Sequence, residues 1–96
     1  VTDSVYRPTR QYADGVLKRF GVETTYYDPL IGAGIADLMR PNTTVVFTEA
    51  PGSQSFEMQD IPAIAEVAHA RGALVVMDNT WATPLYFPPH ERGADI

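Results

Sequence analysis

Ala73-Leu74-Val75-Val76-Met77-Asp78-Asn79-Thr80 sets five apolar residues in a row and closes them with an acid and two polar, turn-favouring residues. A short apolar run without alternation reads as a strand covered on both faces, the pattern of a central parallel strand rather than of a half-wetted hairpin. Just before it, Arg71-Gly72 closes a helix whose apolar positions Ile61, Ile64, Ala65, Val67 and Ala68 recur at helical spacing. Asp60 is placed to cap that helix, and Pro62 is tolerated in its first turn. Further back, Thr44-Val45-Val46-Phe47-Thr48 is a second strand apolar on both faces, joined to the helix by a loop over residues 49–58. Strand, helix, strand in this order predicts parallel pairing through a right-handed crossover.

The alternation continues toward the first residue. Ile31, Ile35, Leu38 and Met39 predict a short helix ending before Pro41, and Asp28-Pro29 separates it from a β-branched and aromatic strand over residues 22–27. Tyr12, Val16, Leu17 and Phe20 predict a helix that begins near Pro8 and stops at Gly21, where a left-handed cap is favoured. Residues 1–5 read as the end of another strand. The fold class is therefore α/β, a mainly parallel sheet between helices, with no internal repeat. Ligands of such sheets bind outside the carboxyl ends of the strands, so Tyr6, residues 49–53 and residues 78–81 should face one crevice.

Composition narrows the functional classes. With 45% hydrophobic and 20% charged residues the chain has an ordinary globular balance, and no apolar run approaches the ~18 residues of a membrane span. A net charge of −5 with seven scattered Lys and Arg disfavours nucleic acid and points to small-molecule partners. The absence of cysteine excludes disulfides and thiolate metal sites and fits a cytoplasmic setting. Ninety-six residues bury a modest core, Val1 stands where a methionine would open a full chain, and Ile96 stands where a new apolar stretch begins. Residues 1–96 are thus expected to be one piece of a longer domain, incomplete at both ends.

Two side chains carry most of the chemical interest. Ionised Asp78 at the mouth of an apolar strand wants a partner, either a cation such as a protonated pyridine nitrogen or the backbone amides of the Asn79-Thr80 turn. Tyr6 either fills a gap in the core or offers its flat face to a ring. Thr80 can bond a ligand or Asp78, or simply order the turn, and Trp81 either lines the pocket or packs under the loop. His69 is expected to be solvated and His90 to lie in a surface loop, without the partners of a metal site. Lys18, the only lysine, falls within the first helix.

Three segments in this order resemble the cystathionine family of pyridoxal-phosphate enzymes. Asp78-Asn79-Thr80-Trp81-Ala82 is similar to the family's Asp-Asn-Thr-aromatic-Ala segment, Val5-Tyr6-Arg7-Pro8-Thr9 to its tyrosine turn, and Glu49-Ala50-Pro51-Gly52-Ser53 to its Glu-x-Pro loop. The resemblance spans nearly all 96 residues and implies the central part of the large domain of an aspartate-aminotransferase-like fold. It implies that Asp78 pairs with the pyridine nitrogen of pyridoxal 5'-phosphate, that Tyr6 stacks on the ring and takes part in proton transfer, and that Ser53 and Thr80 contact the cofactor. Many family members carry Asn-Pro where this chain has Ser53-Gln54, so a direct contact from the shorter serine is the departure to check. Pro51-Gly52-Ser53 and Tyr27-Asp28-Pro29-Leu30-Ile31-Gly32 resemble the beta-lyase branch. That branch cleaves cystathionine to homocysteine, pyruvate and ammonia in methionine biosynthesis, as a cytoplasmic homotetramer. Gamma-synthases and gamma-lyases of the same family are the nearest alternatives. The resemblance also places the cofactor-bonding lysine beyond Ile96, which makes the 96 residues inert by themselves. A phosphoacceptor or nucleotide-binding domain, the rival from another class, expects further acids beside the first strand end and a lysine at a later one.

Overall fold

A computed structural model describes residues 1–96. Strands β1 (Val45–Glu49) and β2 (Leu74–Asp78) pair in parallel, in register from Val45 opposite Leu74 to Glu49 opposite Asp78. Both were expected, each shifted by one residue: Ala73 lies buried just before β2, and Asp78 is its last member. The crossover is α2 (Ile61–Ala70), whose Ala63 N–H donates to Asp60 Oδ1 at 3.1 Å, the anticipated cap. Ile64, Ala65 and Ala68 of α2 meet Val46, Val75, Tyr27 and Ile35 in one core.

The two outer edges of this pair are also bonded. Beside β1, Thr2 N–H donates to the Phe47 carbonyl (3.0 Å), while Asp3 N–H donates to the Tyr27 carbonyl (2.8 Å) and Tyr27 N–H to the Val1 carbonyl (3.0 Å). Beside β2, Met77 N–H donates to the Ile96 carbonyl and Asp95 N–H to the Val75 carbonyl, each at 2.8 Å. The spatial order is therefore 25–27, 1–3, β1, β2, 95–96. The strands expected over residues 1–5 and 22–27 shrink to a single parallel bridge, Thr2 with Tyr27. The chain turns after Asp3, where Val5 N–H folds back onto the Thr2 carbonyl; Val22 is taken up by the end of the preceding helix, and residues 23 and 24 make no backbone hydrogen bond.

The first helix is continuous in span but changes type, from α1 (Arg7–Tyr12) to a π turn (Ala13–Leu17) that contains Gly15. It ends as expected at Gly21, φ +78°, with Gly21 N–H on the Lys18 carbonyl and Val22 N–H on the Leu17 carbonyl. Only Ala13 of this helix is buried; Tyr12, Val16 and Phe20 are exposed rather than core-facing. The crossover from residues 1–3 to 25–27 runs opposite in direction to the one carrying α2, and α1 makes no contact with α2. The first residues of the two strands, Val45 and Leu74, are each 48% exposed.

The short helix expected over residues 31–39 is a 3-10 helix, Gly32–Leu38. Three residues per turn line up Gly32, Ile35 and Leu38, and only Ile35 reaches the core. Two further elements, α3 (Thr83–Tyr86) and a 3-10 turn (His90–Arg92), follow β2 and lead to Gly93. Gly93 has φ +98°, and a Cβ on it would stand 2.5 Å from that of Ala65, so α2 is approached more closely there than any other residue type permits. None of the helices is long and apolar enough to cross a membrane.

Candidate active site at three strand ends

Residues 1–3, β1 and β2 lie side by side, and their carboxyl ends deliver Tyr6, Glu49 and Asp78 to one edge of the sheet. Glu49 is 3% exposed, and its Oε2 accepts the backbone N–H of Tyr6 at 2.7 Å. Its own carbonyl accepts from Gln59 Nε2 (2.7 Å), and Gln59 Oε1 in turn accepts from the Tyr27 hydroxyl (2.9 Å). Burial holds the Glu49 carboxyl above the usual glutamate range; the Tyr6 N–H opposes that shift, the charge of Asp78 adds to it and the Ser53 hydroxyl opposes it. Two acids thus stand in register with no base between them.

Asp78 is half-buried, and its Oδ1 accepts the Thr80 N–H at 3.0 Å. This is the turn-ordering role, but it uses one oxygen only. The ion pairs of the structure join Arg10 to Asp3, Arg40 to Glu23 and His69 to Asp95, so the charge of Asp78 has no cationic partner. Tyr6 is 54% exposed and fills no gap in the core. Ser53 is tied by its N–H to the Ser4 carbonyl (2.9 Å), which fastens the loop after β1 to the Tyr6 turn. Gly52 permits that contact, since a Cβ there would lie 2.8 Å from Ser4 Cβ. Tyr6, Ser53 and Asp78 are gathered about Glu49; Thr80 is exposed at the rim and engages through its backbone.

The remaining polar candidates divide. Trp81 packs edge-on against Phe56 of the preceding loop, ring centroids 5.2 Å apart. Asn79 Nδ2 donates to the Phe87 carbonyl at 3.0 Å and anchors the α3 loop. His69 is exposed, as expected, and is also paired: its Nε2 is 2.9 Å from Asp95 Oδ2, an oxygen that also accepts the Val75 N–H. His90 is exposed, in a 3-10 turn rather than an open loop, with Nδ1 3.0 Å from the Ala94 carbonyl. Lys18 borders a groove with Asp14, Glu23 and Arg40, away from the strand ends. A phosphoacceptor arrangement is not supported, because the acid beside Asp78 is buried on a backbone N–H and Asp3 is spent on Arg10.

The sequence profile of the Cys/Met metabolism PLP-dependent enzymes matches residues 1–96. The chain belongs to this family. A putative cystathionine beta-lyase of Rhizobium johnstonii is 66% identical over all 96 residues, and one of Saccharomyces cerevisiae is 58% identical. The structure superposes on that of cystathionine gamma-lyase from Lactobacillus plantarum, crystallised with L-serine, with TM-score 0.92 and 34% identity, over 98% of this chain and 25% of the other. The chain spans about a quarter of the length of these relatives (24% and 28% of the first two). The family also includes matching proteins named as a sulfhydrylase and as a racemase, so membership alone fixes the pyridoxal-phosphate class and not the reaction.

What this chain presents fits part of such a cofactor's needs. An unpaired carboxylate and an exposed aromatic residue at strand ends on either side of β1 suit a flat, cationic heteroaromatic ring. Sequence reading passed over Gln59, and it placed Glu49 at the crevice without giving it a role of its own. Glu49 carries the same signal as Asp78, an acid closing an apolar strand, whereas nothing local marks Gln59 as buried.

Proposed function

We propose that the full-length protein is a pyridoxal-phosphate-dependent carbon-sulfur lyase that cleaves cystathionine to homocysteine, pyruvate and ammonia. The observation that carries this reading is the uncompensated Asp78 carboxylate at the end of β2, beside exposed Tyr6, in a chain two-thirds identical to a putative cystathionine beta-lyase. Pyridoxal phosphate, when bound, supplies an electron-accepting ring that stabilises negative charge on the substrate's alpha carbon. Asp78 holds the proton on the pyridine nitrogen through a charge-assisted hydrogen bond, which keeps the ring electron-poor. Tyr6 stacks on the ring, and its phenolic oxygen moves a proton during elimination. Ser53 and Thr80 offer hydroxyl donors to the cofactor's oxygens, Ser53 with a shorter reach than an asparagine has. The lysine that bonds the cofactor and the arginine that receives the substrate carboxylate come from other parts of the full-length protein, which works as a cytoplasmic homotetramer.

Likeness to the gamma-lyase structure favours a second reading, gamma elimination within the same site. The two are separated by the keto acid formed from cystathionine: pyruvate for the beta reaction, 2-oxobutyrate for the gamma. Asp78→Ala in the full-length protein should weaken cofactor binding by roughly 10- to 100-fold, the range of a charge-assisted hydrogen bond, and abolish keto-acid release. Cofactor absorbance and keto-acid release both equal to those of the parent would sink the role given to Asp78.

A further inference from the structure

We propose that Glu49 is a positioning residue: its carboxyl group fixes the backbone of the Tyr6 turn and thereby sets the Tyr6 ring relative to Asp78. This rests on the reading of Tyr6 and Asp78 as cofactor-facing residues. Tyr6 is the N-cap of α1, with φ −51° and ψ 132°, and no side chain of its own helix caps that end. Its N–H is met instead from another strand, 43 residues later in the chain, by Glu49 Oε2 at 2.7 Å. Glu49 is itself held on both sides: β2 pairs it with Asp78, and Gln59 Nε2 grips its carbonyl. The Tyr6 turn and Asp78 therefore share one buried reference point.

An acid is an expensive choice for that point. At 3% exposure, next to a second acid and with no base beside it, a carboxyl group loses hydration without gaining a counter-charge. An apolar side chain of equal length would fill the same space without that cost. What only the acid or its amide provides is an acceptor at the Tyr6 N–H, and the burial-driven rise in the carboxyl's pKa, opposed by that N–H, has the same origin. A merely space-filling Glu49 has no use for the acceptor.

The test compares Glu49→Met, which keeps the length and removes the acceptor, with Glu49→Gln, which keeps the acceptor and removes the charge. The full-length protein is used, and exchange of the Tyr6 amide with deuterium is read first in the cofactor-free form. The Met variant should lose Tyr6 protection by about tenfold or more, the worth of a hydrogen bond to a charged group, whereas the Gln variant should stay within roughly threefold of the parent. Pyridoxal phosphate is then titrated by absorbance, and the Met variant should bind it more weakly than the Gln variant does. Equal Tyr6 protection in the Met and parent proteins overturns the proposal, as does lost protection with unchanged cofactor affinity. If the Met variant does not fold by far-ultraviolet circular dichroism, Glu49→Asp replaces it, being one methylene too short to reach the N–H. Because amide exchange is read without cofactor, a failure of the Asp78 assignment leaves this first measurement standing and is told apart from a failure here.

Discussion

Two carboxyl groups of this chain are displaced in opposite directions, and each leaves a different mark on stability. Glu49 keeps its proton to higher pH when folded than when unfolded, where glutamate titrates near about 4.3. The folded state binds the extra proton, so this contribution is fully present below the unfolded value and is lost as pH rises toward the folded one. Glu49→Gln should flatten that decline, read as urea midpoints of the full-length protein from about pH 4 upward. Asp95 is held below its usual range by the Val75 N–H and His69, so its contribution is present above the unfolded value and disappears as pH falls. Gly52→Ala should cost about 1–3 kcal/mol in the same assay, since the added Cβ meets Ser4 on the far side of the loop contact. Of these residues Asp78 was legible in the sequence, because a charge closing an apolar strand is conspicuous. Glu49 closes one too, but its partner is a backbone N–H 43 residues away, and no side chain advertises that.

At the scale of elements, legibility followed burial. β1, α2 and β2 were readable to within a residue because their apolar patterns answer to one shared core. The helix cap at Asp60 and the left-handed stop at Gly21 are local chemistry, and both stand where local chemistry puts them. The strands over residues 1–5 and 22–27 were over-read, since a strand is made by its neighbour and only Thr2 and Tyr27 have one in bridge geometry. The π turn and the 3-10 helix were missed for a related reason: apolar spacing announces a helix but does not distinguish four-residue steps from five or three. Ile64, with no exposed surface, is where α2 is held hardest, and Ile64→Ala should cost roughly 2–5 kcal/mol by thermal or urea unfolding. Asp60→Ala, which removes only the cap, should cost about 1 kcal/mol.

For the molecule as a whole, one side is finished and the other is not. α2 packs on β1 and β2 and the 3-10 helix packs on α2, while Tyr12, Val16, Phe20, Val45 and Leu74 stay exposed on a chain that is a quarter of its relatives' length. Apolar surface of that extent drives association in water. The isolated 96-residue chain should therefore sediment as concentration-dependent oligomers at micromolar levels, and Phe20→Glu combined with Val16→Lys should shift it toward the monomer. A parent chain that stays monomeric across that range would count against this account. The site follows the same division. It has the two strand-end groups proposed to meet a ring, and it contains no lysine at the strand ends.

The order in which the strands lie side by side also fixes an order in time. β1, α2 and β2 are consecutive in the chain and close a core among themselves, whereas residues 1–3 must enter a slot between Tyr27 and Phe47 that exists only once both sides are in place. Contacts between near neighbours in sequence form before those that close long loops. Refolding followed by pulsed amide exchange should protect Leu74, whose N–H meets the Thr44 carbonyl within the β1–β2 unit, ahead of Thr2, whose N–H meets the sequence-distant Phe47 carbonyl. Tyr6 then joins Asp78 as the last event of assembly, and a chain stalled on the way has a formed β1–β2 unit and no binding face.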